Sequence, residues 1–247
     1  MLYLQKSFLI FSFLLFFVFT TFAQEKTSKL PSTSQTSNFN VRERSALIEL
    51  NNEIYLIGGL NNQLALETKV IGKKKVIAKE RLPKVLSTIE KLNQTTNQWE
   101  VISRLPIGLY DLAAVALNNK IYLIGGYNSS SIPVNTVYCF DPITNKLTKT
   151  APLKTARASS KAVAFDGQIY LVGGKNKTPL KDLLSYDPKL NVWKTLPPMI
   201  SPREQVALNI FENKLLVAGG KGLKNLALTT VESYDPKTQT WQQLSPL

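Results

Sequence analysis

The feature of this sequence that most constrains its fold is an apolar segment ending in two glycines, which occurs four times. The hexapeptide IYLIGG stands at 54–59 and again at 121–126, and near copies follow as IYLVGG at 169–174 and LLVAGG at 215–220. An internal repeat of this kind indicates that the chain is built from copies of one supersecondary unit.

Each copy begins with two short apolar stretches around a tight turn. The stretches are rich in Val, Ile, Leu and Tyr, and the turn residues are Asn-Asn, Asp-Gly or Glu-Asn. This pattern predicts a β-hairpin. The near-continuous apolar runs also predict strands that are buried on both faces.

A second anchor follows in every copy, as LNQTTNQW, FDPITNKL, YDPKLNVW and YDPKTQTW. The last residue of each anchor is large and apolar, and these residues recur at intervals of 46 to 48 positions as Trp99, Leu147, Trp193 and Trp241. The Asp, Asn and Pro residues inside the anchor predict a turn between two further strands. Each repeat is therefore expected to contain four strands.

This combination of a glycine pair after the second strand and a tryptophan in the fourth resembles the kelch repeat, whose period is about 50 residues. The resemblance covers residues 42–247 and implies an all-β fold, a β-propeller with four four-stranded blades in this chain. Kelch propellers usually have six or seven blades. Three arrangements therefore stay open: a four-bladed ring, a half ring completed by a second copy in a homodimer, and a fragment of a larger ring.

The repeated residues themselves are expected to serve the fold. Glycine permits backbone angles and close approaches that a side chain would prevent, and tryptophan is expected to pack between adjacent blades. These structural positions are Gly58, Gly59, Gly125, Gly126, Gly173, Gly174, Gly219, Gly220, Trp99, Trp193 and Trp241.

The N-terminal residues differ in composition from the repeats. Lys6 precedes FLIFSFLLFFVFTTFA, an uncharged run of 16 residues. Because a membrane span needs ~20 apolar residues, this run predicts a secretory signal peptide at 1–23, with an uncleaved anchor as the alternative. Residues 24–41 are polar and rich in Ser and Thr, which predicts a flexible linker. We therefore expect a secreted or periplasmic protein with no membrane span after cleavage.

The composition excludes several kinds of site. The chain has no histidine and a single cysteine, Cys139. Ordinary zinc and copper sites and any Ser-His or Cys-His nucleophile are therefore excluded, and no disulfide can form within the chain. We expect neither a metal nor a cofactor.

The formal net charge of +13 suits an anionic glycan or an acidic protein partner better than nucleic acid for an exported protein. In a four-stranded meander, the loops after the second and fourth strands emerge at one end of the blade. By this assignment these loops sum to +12, whereas the opposite turns sum to −1. The sequence therefore predicts one basic loop face.

An insertion in the first repeat, at about 61–86, adds 19 residues to that face. It contains KVIGKKKVIAKERLPK, whose glycine is expected to turn a small hairpin, and Lys73, Lys74 and Lys75 are candidate ligand contacts. A long loop of this kind is often functional, although a tolerated insertion is the alternative.

Other candidate ligand residues follow from their place in the repeat. Arg42, Arg157 and Arg203 each stand 16 residues before a glycine pair. In kelch domains that bind acidic peptides, arginines near this part of the repeat line the pocket, so these positions resemble a ligand site. The alternative is a framework role at the blade junction. Tyr110 and Tyr127 are expected on the same face, where they could stack on a sugar ring.

The main functional hypothesis is a secreted, non-catalytic binding module for an anionic ligand. The alternative comes from a resemblance to exported kelch sialic acid mutarotases, for which Glu43 or Glu204, beside Arg42 or Arg203, would be the acid and base. Copper galactose oxidases share the fold, but the absence of histidine excludes their metal site. A third possibility is a purely structural envelope protein.

Overall fold

The computed structural model describes residues 42–61, 64–71, 74–81 and 84–247. The signal peptide and linker predicted at 1–23 and 24–41 lie outside these residues, as does Lys73. The described part is all-β, as predicted, and its one short 3-10 turn spans Leu223–Asn225. In this part of the chain no helix has the length and hydropathy needed to cross a membrane.

The described strands follow one another along the chain with short connections. They are β1 (Ala46–Leu50), β2 (Glu53–Ile57), β3 (Leu60–Asn61), β4 (Leu64–Ile71), β5 (Lys74–Arg81), β6 (Lys84–Val85), β7 (Thr88–Asn93), β8 (Gln98–Arg104), β9 (Ala113–Leu117), β10 (Lys120–Ile124), β11 (Val137–Asp141), β12 (Lys146–Lys149), β13 (Lys161–Phe165), β14 (Gln168–Val172), β15 (Leu183–Asp187), β16 (Val192–Leu196), β17 (Ala207–Phe211), β18 (Lys214–Ala218), β19 (Val231–Asp235) and β20 (Thr240–Leu244).

Sixteen of these strands form four antiparallel sheets of four, which are the expected kelch blades. Blade 1 has the order β1-β2-β7-β8, and blades 2, 3 and 4 repeat this meander with β9 to β12, β13 to β16 and β17 to β20. The insertion forms two separate two-stranded antiparallel sheets, β3 with β6 and β4 with β5. The hairpin expected in the insertion is therefore present, with Lys74 and Lys75 in its second strand.

Adjacent blades pack face to face through three apolar clusters. Blades 1 and 2 enclose Ile57, Ile89, Ile121 and Phe140; blades 2 and 3 enclose Val137, Ile169 and Leu171; blades 3 and 4 enclose Val172, Leu215 and Tyr234. Alternation along each strand supplies one set of side chains to each neighbouring blade. The innermost strands β1, β9, β13 and β17 adjoin one another in that order.

The glycine pairs lie where each blade meets the connection to the next blade. Gly58 has φ +59°, and a Cβ at this position would overlap the carbonyl oxygen of Leu109. The same carbonyl accepts a hydrogen bond of 2.8 Å from the backbone N–H of Gly59. Gly126 and Gly174 repeat this bond with Arg157 and Arg203, at 2.9 and 3.0 Å. The pair thus combines a left-handed turn with a close backbone approach that a side chain would block.

Two of the three tryptophans, in blades 3 and 4, join their blade to the preceding one. The indole Nε1 of Trp193 donates to the carbonyl of Ala151 at 2.9 Å, and that of Trp241 donates to Pro197 at 2.8 Å. Both rings also contact a tyrosine of their own blade, Tyr186 and Tyr234 respectively.

Candidate functional site

The loops after the second and fourth strands of the blades lie together at one end of the stack, as the predicted loop face requires. Their backbones are hydrogen-bonded within each repeat: Leu109 N–H to Leu86 at 3.1 Å, Arg157 N–H to Val134 at 3.1 Å and Arg203 N–H to Leu180 at 3.0 Å. We refer to this end as the loop face and to the other end as the turn face.

Arg42, Arg157 and Arg203 lie on this side of the blades, but they face inward. Each donates from Nη1 to the carbonyl of the first glycine 16 residues later, at 3.2, 3.2 and 3.1 Å. Their Nη2 groups pair with Glu90, Asp182 and Glu232. The three arginine side chains are at most 4% exposed.

This geometry supports the framework alternative for the three arginines. A buried guanidinium is tolerated when its charge is paired and its donors are occupied. The 16-residue spacing in the sequence is the spacing of this arginine-to-glycine hydrogen bond. We therefore leave these residues out of the candidate site.

The inner rim of the loop face is built from four equivalent positions, two residues after Arg42, Leu109, Arg157 and Arg203. We call them the inner ring: Arg44, Asp111, Ser159 and Gln205. All four have left-handed φ values between 51° and 59°. The N–H of each later member donates to the carbonyl of the one before it, at 2.9 Å in all three cases. The sequence shows these positions only through their fixed distance from the glycine pairs.

Around Arg44 the inner ring forms a charged and aromatic cluster. Arg44 pairs with Asp111, whose Oδ2 also accepts a hydrogen bond of 2.9 Å from Ser159 Oγ. The Arg44 Cζ lies 4.5 Å from the centroid of the Tyr110 ring, and the Tyr110 and Tyr127 centroids are 5.2 Å apart. The two tyrosines singled out in the sequence are thus brought together, and stacking of the guanidinium on their rings is favourable.

Two side chains of this cluster have raised pKa values. The hydrogen bond to Asp111 raises the pKa of Arg44, and its attraction to that carboxylate adds to the effect. Burial raises the pKa of the Tyr127 phenol, which the negative charges of Glu204 and Asp111 raise further. Both groups therefore keep their protonated forms at neutral pH.

The acidic residues considered for sugar chemistry lie at the same rim. Glu204 is buried and forms an ion pair with Lys175, whose Nζ donates a hydrogen bond of 3.0 Å to Glu204 Oε1. Glu43 is exposed, and its backbone bridges to Leu60. Within the described residues, no three Asp, Glu or Cys side chains gather as a candidate metal site.

A basic outer zone surrounds the inner ring. Five lysines on connections of the loop face are exposed: Lys84, Lys154, Lys177, Lys181 and Lys224. Apart from the three buried arginines and their acidic partners, the connections of this face within 42–61 and 84–247 carry eight basic and three acidic side chains. The turns of the turn face carry two of each: Lys189, Lys237, Asp166 and Glu212.

Comparisons with known proteins agree with this architecture. Residues 14–220 match the family model described as the KLHDC2/KLHL20/DRC7 Kelch-repeats domain, and residues 202–247 match the Kelch motif. The first match covers most of the chain.

Curated relatives show the same repeat. Alpha-scruin of Limulus polyphemus is 26% identical over 225 residues, or 85% of this chain and 22% of its own length. The human Kelch repeat and BTB domain-containing protein 12 is 27% identical over 72% of this chain and 30% of its own length, and mouse Kelch-like protein 23 is 34% identical over 43% and 18%. The chain thus spans less than a third of the length of these relatives. Because the family model matches most of the chain and the described residues form four four-stranded blades, this chain belongs to the kelch-repeat family.

Proposed function

We propose that this chain is a binding module that holds an acidic segment of a partner protein on its loop face. Membership of the kelch-repeat family supports a protein-interaction module as the general function. The observation that carries the finer proposal is the excess of exposed basic side chains on the loop face over the turn face. A one-sided field of this kind raises the local concentration and association rate of an anionic partner.

The inner ring and the exposed lysines would contribute to binding in different ways. Exposed lysines such as Lys177 and Lys224 supply attraction that salt screens over about 10 Å. At the inner ring, the exposed guanidinium of Arg44 and the half-buried ring of Tyr127 supply a flat contact surface, and Asp111 balances the charge of Arg44. A carboxylate-bearing peptide would use both, and aromatic and arginine residues often form the core of protein interfaces.

Fluorescence anisotropy tests the proposal. It measures how a fluorescein-labelled peptide of Asp, Glu and Ser residues binds to the purified protein at salt concentrations from about 50 to about 500 mM. Wild type should bind in low salt and lose affinity as salt rises. The double variant Lys177→Glu, Lys224→Glu should bind ~10-fold or more weakly. The matched control Lys189→Glu, Lys237→Glu makes the same change in net charge on the turn face and should bind like wild type.

Equal losses in the two double variants would contradict the proposal, because net charge alone would then explain binding. A sulfated glycan is the second probe. If the glycan bound through the same lysines while the peptide did not, the ligand would be an acidic glycan and the proposed partner class would be wrong. Secretion and the mutarotase alternative remain predictions from the sequence.

A further inference from the structure

A cleft opens between blades 3 and 4 on the turn face, away from the proposed partner site. Its volume is about 360 Å³. Strands of blade 3 line it with Tyr170, Ser185 and Lys194, which are cross-strand neighbours in one row of the sheet. The blade 4 side contributes Tyr234 and Gln239.

Tyr234 gives this cleft an unusual chemical feature. The side chain is completely buried, yet its hydroxyl has no hydrogen-bond partner. Burial raises the pKa of this phenol, with the nearby Tyr170 contributing, so the hydroxyl keeps its proton. An unpaired buried hydroxyl is unfavourable, and native proteins contain few of them.

The neighbouring junction shows how the fold normally satisfies this hydroxyl. Tyr186 of blade 3 occupies the position of Tyr234 and donates to Asn191 Oδ1 at 2.7 Å. The same Asn191 oxygen accepts a hydrogen bond of 2.8 Å from the Ala151 N–H of blade 2. Asn191 thus ties the tyrosine and the preceding blade together.

Two sequence differences between the repeats prevent this arrangement at the junction of blades 3 and 4. Gln239 stands where blade 3 has Asn191, and Pro197, which has no N–H, stands where blade 2 has Ala151. The turn backbones are equivalent, with φ of 56° at Asn191 and 57° at Gln239 and matching N–H bonds to Asp187 and Asp235 at 2.9 and 2.8 Å. The difference therefore lies in the side chains, and it leaves the hydroxyl of Tyr234, a residue that lines the cleft, without the partner that Tyr186 has.

The lining indicates what the cleft could hold. Hydroxyls and amides dominate it, from Tyr234, Ser185, Gln168 and Gln239, and the charges of Lys194 and Asp187 cancel. Leu190, Val192 and Leu196 add apolar contact. A pocket of this size that combines apolar contacts with convergent polar groups is suited to a small molecule.

We propose that this cleft binds an uncharged, hydroxyl-rich molecule of monosaccharide size, with the Tyr234 hydroxyl as its central hydrogen-bonding group. A sugar hydroxyl can both donate and accept, so it can complete the bond that Asn191 makes at the neighbouring junction. This site is independent of the acidic segment proposed for the loop face.

Saturation-transfer difference NMR of the purified protein with D-glucose, D-galactose and N-acetylglucosamine tests the proposal. At least one sugar should give signals with wild type. Tyr234→Phe should weaken binding by ~10-fold while Tm stays the same or rises, because an unpaired hydroxyl is removed. Gln239→Asn should recreate the Asn191 bond, weaken sugar binding and raise Tm by ~2–4 °C.

Tyr186→Phe is the matched control. It removes a hydroxyl that already has a partner, so Tm should fall and the sugar signals should persist. Absence of signals from all three sugars with wild type, or unchanged signals with folded Tyr234→Phe, would overturn the proposal. A fall in Tm for Tyr234→Phe as large as for Tyr186→Phe would also overturn it, since a water molecule would then already satisfy the hydroxyl.

Discussion

At the scale of single residues, the buried arginines show how far a sequence pattern can be interpreted. The constant spacing between Arg42, Arg157 and Arg203 and their glycine pairs pointed to a shared role. The spacing could not distinguish a guanidinium directed at a ligand from one directed at its own blade, because burial depends on the acidic partners. Those partners, such as Asp182 and Glu232, occupy slightly different positions in the repeats and carry no motif of their own.

This assignment predicts a large stability loss for Arg203→Met. The substitution leaves Glu232, whose side chain is 1% exposed, as an unpaired buried charge, and it removes the bond to the Gly219 carbonyl. Loss of one partner of a buried ion pair typically costs about 3–5 kcal/mol of folding free energy. Urea unfolding measures the effect, with exposed Lys224→Met as the control that should remain near wild type. A variant as stable as wild type would show that Arg203 is not part of the framework.

At the scale of elements, the insertion is a separate hairpin on a small base. Asn61 pairs with Lys84 and Leu60 with Val85, and a Cβ on Gly108 would overlap the Val85 carbonyl, so the base packs against the connection to blade 2. The strands β4 and β5 above it carry five basic and two acidic residues. The sequence predicted this hairpin because its Gly and its alternating strand residues are local signals.

Replacing residues 62–83 by Asn-Gly tests what the hairpin does. A two-residue turn suits antiparallel strands that are paired at Asn61 and Lys84. We expect Tm to stay within ~2 °C of wild type, since the base remains. Affinity for the acidic peptide should fall, because the hairpin adds positive charge to the loop face. Undiminished affinity in the folded deletion variant would restrict the partner site to the inner ring and the exposed lysines.

The strands also make a pH-dependent contribution to stability. Burial raises the pKa of the phenols of Tyr55, Tyr170, Tyr186 and Tyr234, which all lie in the clusters between blades. In the unfolded chain a phenol ionises near pH 10. Stability from these groups is therefore complete below about pH 10 and is lost as the pH rises above it, because ionisation then favours the unfolded chain. Unfolding free energies measured across this range should fall, and fall less steeply for Tyr170→Phe. A flat profile would contradict the assignment of these side chains to the blade junctions.

At the scale of the whole molecule, blades 1 and 4 each have one face that no other described blade covers. Leu47 of β1 is 64% exposed, whereas the equivalent Ala114, Ala162 and Leu208 all lie in the clusters between blades. Phe211 of β17 is 62% exposed, whereas the equivalent Leu50, Leu117 and Phe165 lie in those clusters. The repeat pattern predicted the blades correctly because each is specified locally. Closure of the ring depends on the shapes of faces far apart in sequence, which the pattern does not contain.

These two end faces are complementary in kind, because every internal junction joins a face of the Phe211 type to a face of the Leu47 type. We therefore predict that the purified chain self-associates through them, as in a half ring completed by a second copy. Light scattering after size-exclusion chromatography should give a mass above that of one chain. The double variant Leu47→Asp, Phe211→Asp should have the mass of one chain, because association would bury a charge without a partner on either face. Ile143→Asp, at an 83% exposed position in a turn of blade 2, is the control and should leave the mass unchanged. A wild-type mass of a single chain would instead mean that the end faces remain uncovered or are joined within one chain.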